Sequence, residues 1–399
     1  ADGTAILPDV FIAPPDEPFS GFTPSTTLII NSGIQNVIES DLTLFYNILT
    51  GGSRSASIRA AKKQLESAQL EVKRFRRQLR LDVANDYYDL QEIRALMRVA
   101  LSAVTNAEQT LNNTSLREQA GLSTKFEILQ ADVQLANARQ NLNLAQGLQL
   151  TAQRQLAETL SLNDDMNLVP TDNVEPVGTW TSSLPTSIVA ALNNRFELQQ
   201  ILLSREVQEA QRTIVRSAKR PNLSSFAQLT ASASDVEPGS FANPNADNFR
   251  GSVGYGVGLQ LNITAFDGGE IKAQVREIDE TIRILEAQYD DFKNQFRTEV
   301  ETSFYSLEEN EKNIQTSRGA LDLAQESLEL ARLRLQAGIG TQLDVIQAET
   351  DLIQAEGNEI SAILDYNRAL VSIARATAYQ LPIAEYEGSS FQSPSGSQN

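Results

Sequence analysis

The sequence predicts a mainly α protein with β: a tandem repeat of a β hairpin followed by a long coiled-coil helical hairpin. Three observations predict it. Gly51-Gly52 aligns with Gly268-Gly269, 217 positions on, and the two copies then run together without a gap for over a hundred residues. From Ser53 to Ala120 there is neither glycine nor proline, and the stretch is rich in Ala, Leu, Gln, Glu, Lys and Arg, all good helix formers. Strand-like apolar runs precede each of the long helical stretches, and the second alternates with period two.

The repeat is dense in matches. Leu42 and Leu44 fall on Leu259 and Leu261, and Tyr88, Leu90 and Glu92 fall on Tyr305, Leu307 and Glu309. Leu116, Arg117, Gln119, Ala120, Gly121 and Thr124 fall on Leu333, Arg334, Gln336, Ala337, Gly338 and Thr341. Self-similarity at a fixed offset marks a duplicated supersecondary unit.

Taken in order, residues 1–52 are expected to hold the first β segment, with DLTLFYNIL at 41–49 as its strand. Pro8, Pro14, Pro15, Pro18 and Pro24 make the residues before it poor strand material. Residues 53–163 form the first helical hairpin, with its tip at 120–124; at about 1.5 Å per residue its first arm would be on the order of 100 Å long. Leu90, Met97, Val104 and Leu111 recur every seven residues, copied as Leu307, Ile314, Leu321 and Leu328. On the returning arms the same register is Ala131, Ala138, Ala145 and Ala152, copied as Ala348, Ala355, Ala362 and Ala369. Heptads make helices supercoil around neighbours, and alanine at the seam lets the backbones approach. A compact domain of this size has no room to cover such a helix along its length, which disfavours an ordinary bundle core.

A proline-containing connector follows at 164–183, and Leu184 to Arg220 reads as one helix ending before Pro221. Its counterpart in the first copy falls before Ala1, so the chain is expected to begin partway into its first repeat. Residues 221–269 read as a second β hairpin, from NLSSFAQLTASAS at 222–234 and VGYGVGLQLNITAF at 253–266, joined by a polar loop of turn formers. Leu259, Leu261 and Ile263 alternate with Gln260 and Asn262, the pattern of a strand with one wet face. Residues 270–381 form the second helical hairpin, with its tip at 337–341, and 382–399 a low-complexity tail expected to be disordered.

Composition removes whole function classes. Cysteine and histidine are absent, which takes away thiolate and imidazole metal ligands, the commonest general base, and the Ser/His and Cys/His nucleophile pairs. A net charge of -18 disfavours nucleic acid. No stretch approaches the roughly 18 apolar residues of a membrane-spanning helix, so any membrane crossing is left to strands.

The strand-Gly-Gly-helix junctions, the duplicated A-G-[LI]-x-T tips and the following ILQA at 128–131 and VIQA at 345–348 resemble, in this order and spacing, the TolC family of outer-membrane efflux proteins. The resemblance covers about Ser25 to Leu381. It implies a homotrimer with a shared β-barrel in the lipid bilayer of a Gram-negative-type outer membrane and an α-helical tunnel in the periplasm. It further implies an exit duct of a tripartite efflux or type I secretion system, fed by an inner-membrane pump through a periplasmic adaptor, with no catalysis and no cofactor. The adaptor-docking tips then fall on Ala120, Gly121, Leu122, Ser123 and Thr124, and on Ala337, Gly338, Ile339, Gly340 and Thr341. Of the family's paired constriction aspartates the first matches Asp344, whereas the second position is Gln347; its latching tyrosine and arginine correspond to Leu335 and Gly340.

Gly121 and Gly338 equally suit the left-handed turn that ends a helix, and Thr341-x-x-Asp344, like Thr124-x-x-Glu127, has capping-box spacing. Two other classes account for part of the pattern. A soluble coiled-coil scaffold explains the heptads and acidity but not the alternating strands and polar loop; a periplasmic adaptor would show one hairpin, not two.

Overall fold

The computed structural model describes residues 22–30, 35–162, 167–236 and 249–378. In chain order it contains β1 (Phe22–Ile30), β2 (Gln35–Thr50), α1 (Ser53–Gln119), α2 (Lys125–Thr159), α3 (Leu184–Asn194), α4 (Phe196–Ser217), β3 (Asn222–Val236), β4 (Phe249–Asn262), α5 (Glu270–Gln336) and α6 (Gln342–Ala376). Residues 1–21, the middle of the polar loop at 237–248 and the tail at 382–399 lie outside the described residues. Two compact units are resolved, residues 1–70 with 199–290, and residues 71–198 with 291–399.

The first unit holds the sheet. Its strands are antiparallel in the order β1-β2-β3-β4, and a bulge between Asn47 and Leu49 shifts the register of β2 on β3. β1 corrects the reading of the opening residues, because Phe22–Ile30 pairs along its length with β2 and Pro24 lies opposite Leu42. The reason is position: β1 is an edge strand, where a residue without an N–H is tolerated. Period-two alternation sorts the sheet into two faces. Leu42, Leu229 and Tyr255 form one cross-strand row and Leu44, Ala227 and Val257 the next, while the opposite face carries the rows Asp41, Thr230, Gly254 and Thr43, Gln228, Gly256. Within the same unit α4 is tied to the start of α1 by Lys63–Glu206 (3.0 Å) and to α5 by Arg212–Asp279 (2.8 Å).

The second unit is built on the heptad arms. Ala131, Ala138 and Ala152 of α2 are buried, as are all four alanines of the copied register on α6. Val104 and Ala107 of α1 pack on Leu135 and Ala138 of α2; Leu328 of α5 packs on Val345 and Ala348 of α6. The connector runs against this bundle. Gln91 donates to the carbonyls of Asp172 and Asn173, and the buried Asn367 both donates to Glu175 O and accepts from Val177 N–H.

The single helix expected over Leu184–Arg220 is instead two helices and a turn. Arg195 breaks it with an extended backbone (φ -74, ψ 125). Its side chain is almost wholly buried, donates from Nε to Ala376 O at 2.9 Å, and stacks over Phe296. The break follows the weak helix formers Asn193 and Asn194 and is held by this tertiary anchor. Among the described residues no helix is long and apolar enough to cross a membrane.

Candidate functional site

Each hairpin tip is a closed hydrogen-bonding device. At the first, Leu122 N–H donates to Arg117 O and Gly121 N–H to Glu118 O, both at 2.8 Å; at the second, Ile339 donates to Arg334 O and Gly338 to Leu335 O. This is the double bond set of the Schellman motif, and it needs a left-handed residue, which Gly121 (φ 74) and Gly338 (φ 77) supply. In many such motifs the residue after the glycine is tucked against the helix. Here Leu122 and Ile339 are instead 71% and 72% exposed, so the tips present apolar side chains to solvent.

The returning helices open with full capping boxes. Thr124 Oγ1 accepts from Glu127 N–H while the Glu127 carboxylate accepts from Thr124 N–H at 2.8 Å; Thr341 and Asp344 repeat the pair, again at 2.8 Å for the carboxylate. Both carboxylates are held below their ordinary range, Glu127 by the Ser123 hydroxyl and then by the Thr124 amide, and Asp344 by the Thr341 amide. Gln347, exposed three residues on, donates to Asp351 at 2.9 Å on its own helix. Leu335, at the expected latch position, is partly buried against Leu328 and Val345, and its carbonyl accepts from Arg117 of α1 at 3.3 Å.

One residue in this region carried no sequence signal. Glu349 of α6 is 4% exposed, accepts from Thr110 of α1 at 3.1 Å and pairs with Arg332 of α5 at 3.0 Å, joining the two hairpins. Only the three-dimensional neighbours distinguish it from the other acids of a charged helix.

In the first unit the apolar sheet face is bare: Val253, Tyr255, Val257, Leu259 and Leu261 are 58–89% exposed. Between them Gly254, Gly256 and Gly258 point to the other face, where the Phe226 ring lies over Gly258 beside Phe45, ring centroids 6.3 Å apart. The strands run into the helices through glycine pairs in left-handed conformations, Gly51 and Gly52 (φ 61 and 99) and Gly268 and Gly269 (φ 61 and 94). Asp267 caps the second junction, accepting from Gly269 and Ile271 N–H at 3.1 Å each.

Strands with one bare apolar face, leading directly into heptad hairpins, are the marks of a β-type membrane protein with a helical extension. The chain belongs to the outer membrane efflux protein family, whose model matches residues 30–161 and 187–378. A curated relative, the pyoverdine export outer membrane protein OpmQ of Pseudomonas aeruginosa, is 24% identical over 336 residues, 83% of this chain and 67% of its own. Among solved structures, VceC of Vibrio cholerae superposes with a TM-score of 0.67 at 20% identity, covering 95% of this chain and 87% of its own. The CusC structure superposes at 0.71 and 16% identity, covering 90% and 82%. The chain spans about two thirds of the length of the curated relatives it matches. This membership sets aside the soluble-scaffold and adaptor readings.

Proposed function

We propose that the chain is the outer-membrane exit duct of a tripartite efflux or type I secretion system, working as a homotrimer that passes substrates from an inner-membrane pump and periplasmic adaptor to the exterior. One observation carries the reading. The sheet has an apolar face and a polar face, and β1 and β4 are its edges. An open sheet edge is not tolerated in hydrocarbon, where each unpaired backbone group costs several kcal/mol. Four strands are too few to close around water, since even about eight give an interior filled by side chains. Copies of the chain joined edge to edge satisfy the edges, turn the apolar face to lipid and give an aqueous interior.

On this reading the tips at Ala120–Thr124 and Ala337–Thr341 dock the adaptor; the exposed Leu122 and Ile339 support it, being apolar anchors on rigid turns. Asp344 and Gln347 line the periplasmic constriction, where threefold symmetry would gather Asp344 into a ring of carboxylates. Transport is then passive for this chain, its drive coming from the pump. The test is unheated gel electrophoresis of detergent-extracted outer membranes followed by planar-bilayer recording. A trimer-sized band that collapses on boiling, with discrete conductance steps from the same material, is expected. Monomer alone, with no conductance, would overturn the duct.

A further inference from the structure

Charge is unevenly placed along this chain. Against a net charge of -18, Ser53–Lys63 at the start of α1 holds four Lys or Arg and no acid, and Ala210–Arg220 at the end of α4 holds another four and no acid. Lys272 and Arg276 join them at the start of α5, after Glu270 and before the acids resume at Glu277. Arg276 is the repeat copy of Arg59, 217 positions on, so both copies place a cation at this level.

The sheet brings these segments together. Thr50, Asn222 and Asn262 are paired in register across β2, β3 and β4, and α1, α4 and α5 all meet the sheet at that end. The cations therefore form a basic collar within the first unit, directly beyond the strands. Half of it is engaged inside the fold: Lys63 and Arg212 pair with Glu206 and Asp279, Lys219 stands 3.7 Å from Asp267, Arg220 donates to Gly51 O, and Arg54 stacks over Tyr46. The other half is not. Arg59, Lys62, Arg216, Lys272 and Arg276 are exposed and, among the described residues, form no ion pair. At the same boundary the bare apolar face runs out to Ile263, one residue beyond β4 and 59% exposed, and Phe266 follows at 88%. Apolar side chains ending within a few residues of unpaired cations fit a partner with a hydrocarbon part and an anionic head.

We propose that the collar binds the phosphate headgroups of anionic phospholipids in the leaflet nearest the helices. This rests on the sheet crossing the outer membrane as in the duct above, and it adds a lipid partner that transport itself does not require. The spacing fits. Lys272 is the third and Arg276 the seventh residue of α5, about 4 and 10 Å along the helix at 1.5 Å per residue. The headgroup layer is roughly 5–8 Å deep on each side of the hydrocarbon, and long cationic side chains reach towards it along their apolar stems.

The test is native mass spectrometry of the full chain, extracted in detergent and exchanged into micelles holding equal amounts of phosphatidylglycerol and phosphatidylcholine. Wild type is expected to retain phosphatidylglycerol in several-fold excess, and the excess to shrink as salt is raised. Arg59→Gln with Arg216→Gln and Arg276→Gln should bring the ratio close to one, whereas lysine at the same three positions should keep it. Inorganic phosphate added at the lipid concentration should displace nothing; displacement would make this a site for free anion and overturn the lipid. Equal retention of the two lipids by wild type, an excess indifferent to salt, or an excess unchanged in the glutamine variant overturns the collar as a lipid site. A second copy covering the cations gives another pattern, no lipid preference in wild type and a glutamine variant that loses the trimer, and this also overturns it. If the glutamine variant does not fold, the wild-type ratio and its salt dependence still decide. Retention of phosphatidylglycerol by a chain that stays monomeric and conducts nothing would instead remove the duct and leave the lipid site standing.

Discussion

Asp344 caps the start of α6, and the ring role proposed for it makes a different demand on the same carboxylate. As the third residue of α6 its carboxylate accepts from Thr341 N–H at 2.8 Å, and an acid there also suits the positive end of the helix. Because its pKa in the fold is depressed, the cap contributes above the ordinary carboxylate range and is lost as pH falls through the lowered value. Glu127 at the first tip behaves alike. The ring role needs only the charge. Asp344→Asn keeps the size and part of the hydrogen bonding while removing the charge, so single-channel recordings at low salt should show reduced cation preference and weaker block by multivalent cations. Wild-type selectivity and block, with faster amide exchange in the first turn of α6, would leave Asp344 as a cap alone. The capping box was legible in the sequence because it is an i to i+3 interaction. The burial of Glu349 was not, since its partners Thr110 and Arg332 lie 239 and 17 positions away.

Elements in this chain are joined where glycine is required, and the two strand-to-helix junctions differ in why. At Gly51 a β-carbon would meet Ser217 O at 2.8 Å and Arg220 Cβ at 2.9 Å, besides adopting φ 61. At Gly268 the φ is the same but nothing lies within 4 Å. Gly268→Ala should therefore cost the conformational penalty alone, about 1 kcal/mol, and Gly51→Ala distinctly more. Thermal melting of the two variants in detergent checks this; equal losses would mean that the Ser217 and Arg220 contacts yield freely. Glycine pairs, tips and long helices were readable because each is a local requirement repeated twice. The break between α3 and α4 was not, because Asn193-Asn194 is a weak stop between two apolar-patterned stretches, and what holds the backbone extended is the anchoring of Arg195 at Ala376 O and Glu299. β1 was read poorly for a related reason: Pro24 counts against a strand in isolation, and the edge position that admits it is a property of the sheet.

At the scale of the whole molecule the decisive question is which sheet face meets lipid. Neighbouring positions on β4 carry the assignment proposed above, since Val257 lies in the apolar row with Leu44 and Ala227 and is 80% exposed, whereas Gly256 lies in the polar row with Thr43 and Gln228. A β-carbon at Gly256 meets nothing within 4 Å, so an added side chain has room there. Arginine on a lipid-facing strand costs about 2–4 kcal/mol near the bilayer midplane and far less in an aqueous interior. In a trimer the cost is incurred three times. Val257→Arg should accordingly reduce the heat-labile trimer in outer membranes to a small fraction of the wild-type amount. Gly256→Arg should assemble at near wild-type levels and announce itself differently, by lower single-channel conductance and a shift towards anions as three guanidiniums enter the lumen. The glycine also leaves a control within the same strand: Gly258→Arg, whose β-carbon would strike the Phe226 ring at 2.6 Å, should impair assembly through packing even though it shares the face of Gly256. If Val257→Arg assembled normally while Gly256→Arg did not, the faces would be assigned the wrong way round, and the apolar row would have to be covered by protein instead of lipid.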